Sequence, residues 1–191
     1  EHMQEAGFDP DAVKKGISRV NTKRTIAYIE PHIEQAPILA LENLPVGVVT
    51  GIRGSFRYRQ ARCMGAYAHS GAMPREYRKD AVMATSDLVQ GMDRFWDETV
   101  AKGGDLTVTF GELSTDPEHH GFSKVPGETH ICVDIRSQEQ TTLSFAEVRL
   151  RELVANIETK RGVRFELGER TGSEPALMSG HLQEMLHAAA K

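Results

Sequence analysis

The strongest constraint on this chain is a switch between two hydrophobic periods across residues 46–171. Two stretches, 46–52 and 56–67, read as strands, with Arg53-Gly54-Ser55 as the turn between them. Pro74 then opens a helix to about Lys102. In it Ala81, Ala84, Leu88, Met92 and Phe95 recur at three- and four-residue spacing, and Gly103-Gly104 stops it. Leu106, Val108 and Phe110 alternate with threonines, and Ile131, Val133 and Ile135 alternate with Cys132, Asp134 and Arg136, so each set predicts a half-buried strand. A loop over 114–126 joins them. Residues 144–161 read as a second amphipathic helix through Leu150, Leu153, Val154 and Ile157; Gly162 ends it, and 163–167 is a last strand. The order is β-β-α-β-β-α-β. Its later portion predicts an α+β fold, a ferredoxin-like sandwich with one antiparallel sheet and two helices on one face. The opposite face then calls for a cover or a partner.

The flanks do not fit that unit. Residues 9–17 read as a short helix, with Asp9 as N-cap and Pro10 at its first position. The run 25–29 reads as a buried strand, 37–44 as a short helix or turn, and 177–190 as a third helix. The expected division is 4–45, 46–171 and 172–191, with the outer segments as two pieces of an α/β domain into which the sandwich is inserted. The opening Glu1-His2-Met3 reads as a cloning remnant.

Composition excludes several classes. Among 191 residues, 23 Lys and Arg face 27 Asp and Glu for a net charge of −4, which disfavours nucleic acid as the main partner. No stretch approaches the ~20 apolar residues of a membrane span. At 39% hydrophobic and 26% charged residues the chain is not disordered. Cys63 and Cys132 make neither a disulfide framework nor a Cys-x-x-Cys metal knuckle. They read as buried thiols in a reducing, cytoplasmic compartment.

Three stretches carry side chains suited to chemistry. In Tyr28-Ile-Glu-Pro-His32-Ile-Glu-Gln35 an imidazole and carboxylates follow an expected strand, where α/β enzymes keep metal ligands; the same residues fit a plain charged loop. In Tyr67-Ala-His69-Ser-Gly71-Ala-Met-Pro74 an imidazole sits at an exposed corner, able to donate to a developing oxyanion, or is a turn histidine with no task. In Asp134-Ile-Arg136 a guanidinium is suited to clamping a carboxylate, or to pairing with a neighbouring acid. His119, His120, His130 and Cys132 lack the tight spacing of zinc motifs.

Taken in order, these motifs resemble a known family. They are the His32-Ile-Glu-Gln35 run, Gly47-Val-Val-Thr-Gly-Ile52, Ala68-His-Ser-Gly-Ala-Met-Pro74-Arg-Glu-Tyr-Arg78-Lys-Asp-Ala81, Pro126-Gly-Glu128 and Asp134-Ile-Arg-Ser137. The chain resembles the M20 metallopeptidase-like amidohydrolases from about Thr25 to about Leu186. The closest branch is that of the N-carbamoyl-L-amino acid hydrolases, allantoate amidohydrolases and β-ureidopropionases. The resemblance implies a catalytic α/β domain holding two divalent metal ions, zinc or manganese, and an inserted lid domain that forms a homodimer. It implies that His32 is a metal ligand, that His69 polarises the scissile carbonyl in the partner subunit's site, and that Arg136 binds the substrate carboxylate. Gln35 and Ser123 follow as substrate contacts. Ser123 stands where many members have Asn, Ala36 where they have Gly, and Phe56 where the allantoate branch has Arg.

The resemblance places the other metal ligands outside this chain. One histidine cannot hold two metals. The 191-residue chain alone is therefore expected to hold no metal pair and to be inactive, while its parent hydrolyses a linear amide or ureido C–N bond. The alternative is a non-catalytic ferredoxin-like module that binds a small ligand or only dimerises.

Overall fold

A computed structural model describes residues 2–18 and 20–190. Glu1, Arg19 and Lys191, which fall in the opening tripeptide, the first flank and the end of the last segment, lie outside the described residues. The chain divides into two compact units, one through Gly47 and one from Val48 onward.

The first unit holds three short helices, α1 (His2–Glu5), α2 (Pro10–Lys14) and α3 (Ile38–Leu41). Asp9 caps α2 as expected, accepting from the amides of Asp11 at 2.9 Å and Ala12 at 3.2 Å. That helix stops at Lys14 rather than continuing to residue 17, because Gly16 turns the backbone left-handed at φ +65°. The buried strand expected over 25–29 is absent. Ile26 is fully exposed at 101%, and Tyr28 and Ile29 are exposed too. A strand needs a neighbour for its backbone groups, and none of the described residues pairs with this run.

The second unit contains β1 (Gly51–Ile52), β2 (Gly54–Met64), β3 (Ala68–His69), a single 3₁₀ turn (Arg75–Tyr77), α4 (Ala81–Ala101), β4 (Thr107–Thr115), β5 (Lys124–Val125), β6 (Glu128–Ser137), α5 (Gln140–Arg161), β7 (Arg164–Glu166), β8 (Arg170–Ser173), β9 (Ala176–Leu177) and α6 (Gly180–Ala189). The main sheet runs β4-β6-β2-β7, every pair antiparallel, with β8 on β2 beside β7. With α4 and α5 packed on one face, this is the ferredoxin-like sandwich.

The core follows the two periods. Ala81, Ala84, Leu88 and Met92 of α4 and Leu143, Ala146, Leu150, Val154 and Ile157 of α5 are buried against Phe56, Tyr58, Ile131, Val133 and Ile135 of the sheet. The helices approach closely where Gly91 meets Leu153; an added Cβ would lie 2.8 Å from that side chain. Asp87 of α4 ties α5 down by a two-pronged pair with Arg161, at 2.7 and 2.8 Å.

Several expected boundaries move. The strand over 46–52 reduces to Gly51–Ile52, paired with β9. The long helix starts at Ala81 rather than Pro74, since Asp80 caps it by accepting from the Met83 amide. The second helix begins at Gln140, ahead of the expected 144, and the third at Gly180 with Ser179 as cap. β2 and β4 each carry one extra residue opposite the middle of β6, so both bulge there.

The open face of the sheet is not apolar. It presents Arg57, Arg62, His130, Asp134 and Arg136, with Arg62 paired to Glu166 at 2.6 Å and Arg57 to Asp134 at 3.1 Å. The expected cover is therefore not required to hide greasy surface.

Candidate functional site

The arm that carries His69 is assembled from backbone carbonyls. β2 ends at Met64; the Gly65 amide donates to Gly127 O at 2.7 Å and the Ala66 amide to Lys79 O at 2.8 Å. A Cβ at Gly65 would come within 1.9 Å of Lys79 O, so this crossing requires glycine. Beyond it Ala68 pairs with Val125 and His69 with Lys124, and the Ser70 amide reaches Ser123 O at 2.8 Å. The loop after His69 is closed by Arg78, whose Nε donates to Met73 O at 2.9 Å and whose Nη2 donates to Ser70 O. Asp80 then starts α4, and the Ala81 amide donates to Pro126 O. The Pro-Arg-x-x-Arg-Lys-Asp-Ala run is thus a set of fasteners for this arm. The sequence reading missed Arg78; its signal was a basic residue four positions after Pro74 in a loop that had to end a strand and begin a helix.

Within the arm His69 is exposed and oriented. The Gly71 amide donates to its Nδ1 at 3.2 Å. In the neutral ring that leaves Nε2 as the protonated nitrogen, a hydrogen-bond donor. Ser123 is exposed at the same end of the sheet, next to the residue paired with His69.

Arg136 stands elsewhere. It is exposed near the far end of β6, paired across the sheet with Ser55 and Thr107. Between Thr129, beside the His69 arm, and Arg136 the strand extends roughly 23 Å at ~3.3 Å per residue. The guanidinium is engaged by Asp134, with Nη2–Oδ2 at 2.6 Å and Nε–Oδ2 at 3.1 Å. Burial pushes the Asp134 carboxyl up, but Arg136 and Arg57 outweigh it and hold that carboxyl below its ordinary range. The pairing with a neighbouring acid that the sequence allowed is present.

His32 and Gln35 belong to the first unit and are exposed. His32 Nδ1 lies 3.8 Å from Glu30, which also accepts from the Tyr28 hydroxyl at 2.7 Å. Glu34 is occupied in starting α3, accepting from the amides of Ile38 at 3.0 Å and Leu39 at 2.9 Å. Among the described residues no three His, Cys, Asp or Glu side chains gather as a metal site. One imidazole beside two engaged carboxylates does not fit a complete divalent centre. Phe56 is fully buried in the core, with the Arg170 guanidinium over its ring at 5.5 Å. Cys63 is buried, with its thiol pushed up to about 12 by desolvation, and is inert.

The structure therefore brings His69 and Ser123 to one end of the sandwich and sets Arg136 at the other. No protein-family model matches the chain. The N-carbamoyl-L-amino-acid amidohydrolase of Paenarthrobacter aurescens is 33% identical over 168 residues, covering 86% of this chain and 38% of that protein. The allantoate amidohydrolase of Bacillus subtilis is 30% identical over 189 residues, covering 98% of this chain and 42% of that protein. The crystal structure of a hydantoinase/carbamoylase family amidase from Burkholderia phymatum superposes with a TM-score of 0.77 at 30% identity, covering 93% of this chain and 44% of that one. The chain thus spans about two fifths of the length of these relatives. By sequence it is related to the N-carbamoyl-L-amino-acid and allantoate amidohydrolases, and by fold to the hydantoinase/carbamoylase amidases of M20 type, the family its motifs resemble.

Proposed function

We propose that this chain is the lid portion, with catalytic-domain flanks, of a metal-dependent amidohydrolase that cleaves a linear C–N bond in an N-carbamoyl amino acid or a related ureido compound. The relatives' names support the substrate class. The observation that carries the reading is the set of the exposed His69 ring, with Nδ1 satisfied by Gly71 and Nε2 left as the donor.

In that role the Nε2 proton is donated to the oxygen of the scissile carbonyl. The bond strengthens as negative charge gathers on that oxygen during attack, so it favours the transition state over the substrate. Arg136 receives the substrate carboxylate with guanidinium hydrogens not committed to Asp134, and Ser123 and Gln35 supply polar contacts. A divalent metal would supply the activated water, with His32 among its ligands; among the described residues no three potential ligands gather to hold it.

A homodimer is part of the proposal. A carbamoyl amino acid is far shorter than the roughly 23 Å of β6 that runs from beside the His69 arm to Arg136 in one chain. A twofold pair can bring the His69 end of one copy to the Arg136 end of the other. The outer edge of β4, which pairs with no other strand among the described residues, offers a surface for closure through the sandwich. No described helix is long and apolar enough to cross a membrane. We place the protein in the cytoplasm, in keeping with its two free thiols.

The test is turnover by the chain extended to the relatives' full length, on a panel of N-carbamoyl amino acids and ureido acids. His69→Ala should lower kcat on the order of 10²-fold or more with KM little changed. Undiminished turnover of every substrate sinks the assignment. A second reading, a non-catalytic module, draws on the Arg136–Asp134 pair, which leaves no bare cation waiting for a ligand. Calorimetry with amino acids in the absence of metal separates the two: only the module binds.

A further inference from the structure

The loop between β4 and β5 carries a carboxylate that the proposed reaction leaves without a task. Asp116 accepts from the Tyr67 hydroxyl at 3.0 Å, lies 2.6 Å from His119 Nδ1, and accepts from the Glu118 amide at 3.0 Å. Its side chain is only 17% exposed. Tyr67 lies two residues ahead of His69 and is held on its other side by Gly127, where an added Cβ would meet the ring at 2.5 Å. The Tyr67 ring also faces His119, with centroids 5.6 Å apart. The same loop is closed by Thr115 with His120 at 2.7 Å and by Lys124 Nζ with His119 O at 3.0 Å.

These contacts matter because of what they border. His69 sits on a strand of two residues whose only sheet partner among the described residues is another strand of two residues. A ladder that short is not stable on its own. It persists only if the chain entering β3 and the chain entering β5 are held together from outside. Arg78 secures the loop beyond His69; Asp116 joins the residue before β3 to the loop before β5.

We propose that Asp116 is a positioning residue for His69, acting through Tyr67, with His119 as the second group that fixes the carboxylate. The proposal rests on the reading of His69 as the polarising donor, but its structural half does not depend on that reading. Asp116 keeps Nε2 of His69 at one place by keeping the β3–β5 pair closed.

The experiment uses two variants, Asp116→Asn, which keeps the shape and removes the charge, and Tyr67→Phe, which removes one hydroxyl. In the 191-residue chain, hydrogen exchange at the Ser70 amide should rise about tenfold in both, while amides in the middle of α4 keep their rates. Unchanged exchange at Ser70 in both variants overturns the proposal, and so does equal acceleration in α4, which would mark general loosening. In the full-length protein, Asp116→Asn should lower kcat about tenfold with KM within about twofold. Placed on His69→Ala it should lower kcat less than about twofold further. A full additive loss means that Asp116 does not act through His69. If His69→Ala alone leaves turnover intact, the proposed reaction fails, and the exchange data still decide whether Asp116 closes the arm.

Discussion

His69 and Arg136 occupy opposite ends of the sandwich on two different antiparallel sheets, the first on β3 paired with β5 and the second next to the last residue of β6 in the main sheet. If both serve one small substrate, each site takes one group from each copy. Mixing full-length His69→Ala with full-length Arg136→Ala should then restore activity. In a mixed dimer one site has both groups intact and the other has neither. Random exchange should therefore give about a quarter of the wild-type rate. Recovery below about a hundredth of that rate in a mixture shown to exchange subunits rules out a shared site.

Arg136 already holds a carboxylate in bidentate fashion, that of Asp134, through Nε to Oδ1 and Nη2 to Oδ2. Planar, two-pronged recognition is what lysine cannot reproduce. Arg136→Lys in the full-length protein should raise KM for a carboxylate substrate about tenfold and change kcat little. The matching carboxamide substrate should show almost no difference between the two proteins. An equal rise in KM for both would place Arg136 outside carboxylate binding.

The clamp between α4 and α5 gives the fold an acid-sensitive joint. Arg161 and Lys160 hold the Asp87 carboxyl below its ordinary value. A lowered native pKa contributes stability that is fully present above the unfolded carboxyl pKa, ~4, and is lost as pH falls through it toward the native value. Asp87→Asn should cost about 1 kcal/mol at pH 7. Urea titrations should show that gap shrinking below about pH 4 and nearly closed by pH 2. A gap independent of pH would remove the ion pair as its source.

Gly65 lies where two backbones cross. Lys79 O cannot move aside without opening the Ala66 and Ala81 hydrogen bonds on either side of it. Gly65→Ala should destabilise the chain by about 2–4 kcal/mol, read as a lower urea midpoint. Gly180→Ala is the control, since nothing lies within 4 Å of a Cβ there, and it should be close to neutral.

Much of the sandwich is legible in the sequence because two periods coincide with burial. Leu88 and Met92 recur at helical spacing and are buried; Ile131, Val133 and Ile135 alternate and are buried. The failures are equally physical. Residues 25–29 are as apolar as a strand, but an apolar run does not say whether a neighbouring strand exists to receive it. β8 was missed because Arg170-Thr-Gly-Ser173 has no apolar alternation. It is held by pairing with β2, and only glycine fits at 172, since a Cβ there would meet Ser55 O at 2.0 Å. At the candidate site, the partner of Arg136 was readable, since Asp134 lies two residues back on the same strand face. The fasteners of His69 were not, because Ser70 O, Met73 O and Ser123 O are carbonyls that every residue type carries.

Arg78 already winds the loop behind His69 onto itself in a lone chain. An arm shaped in advance gives up little freedom when another surface closes over it, so docking should be quick and its geometry repeatable. A supple loop would have to find its shape anew at every encounter. This one arrives as a stiff peg, and the contour of whatever receives it must be complementary from the start.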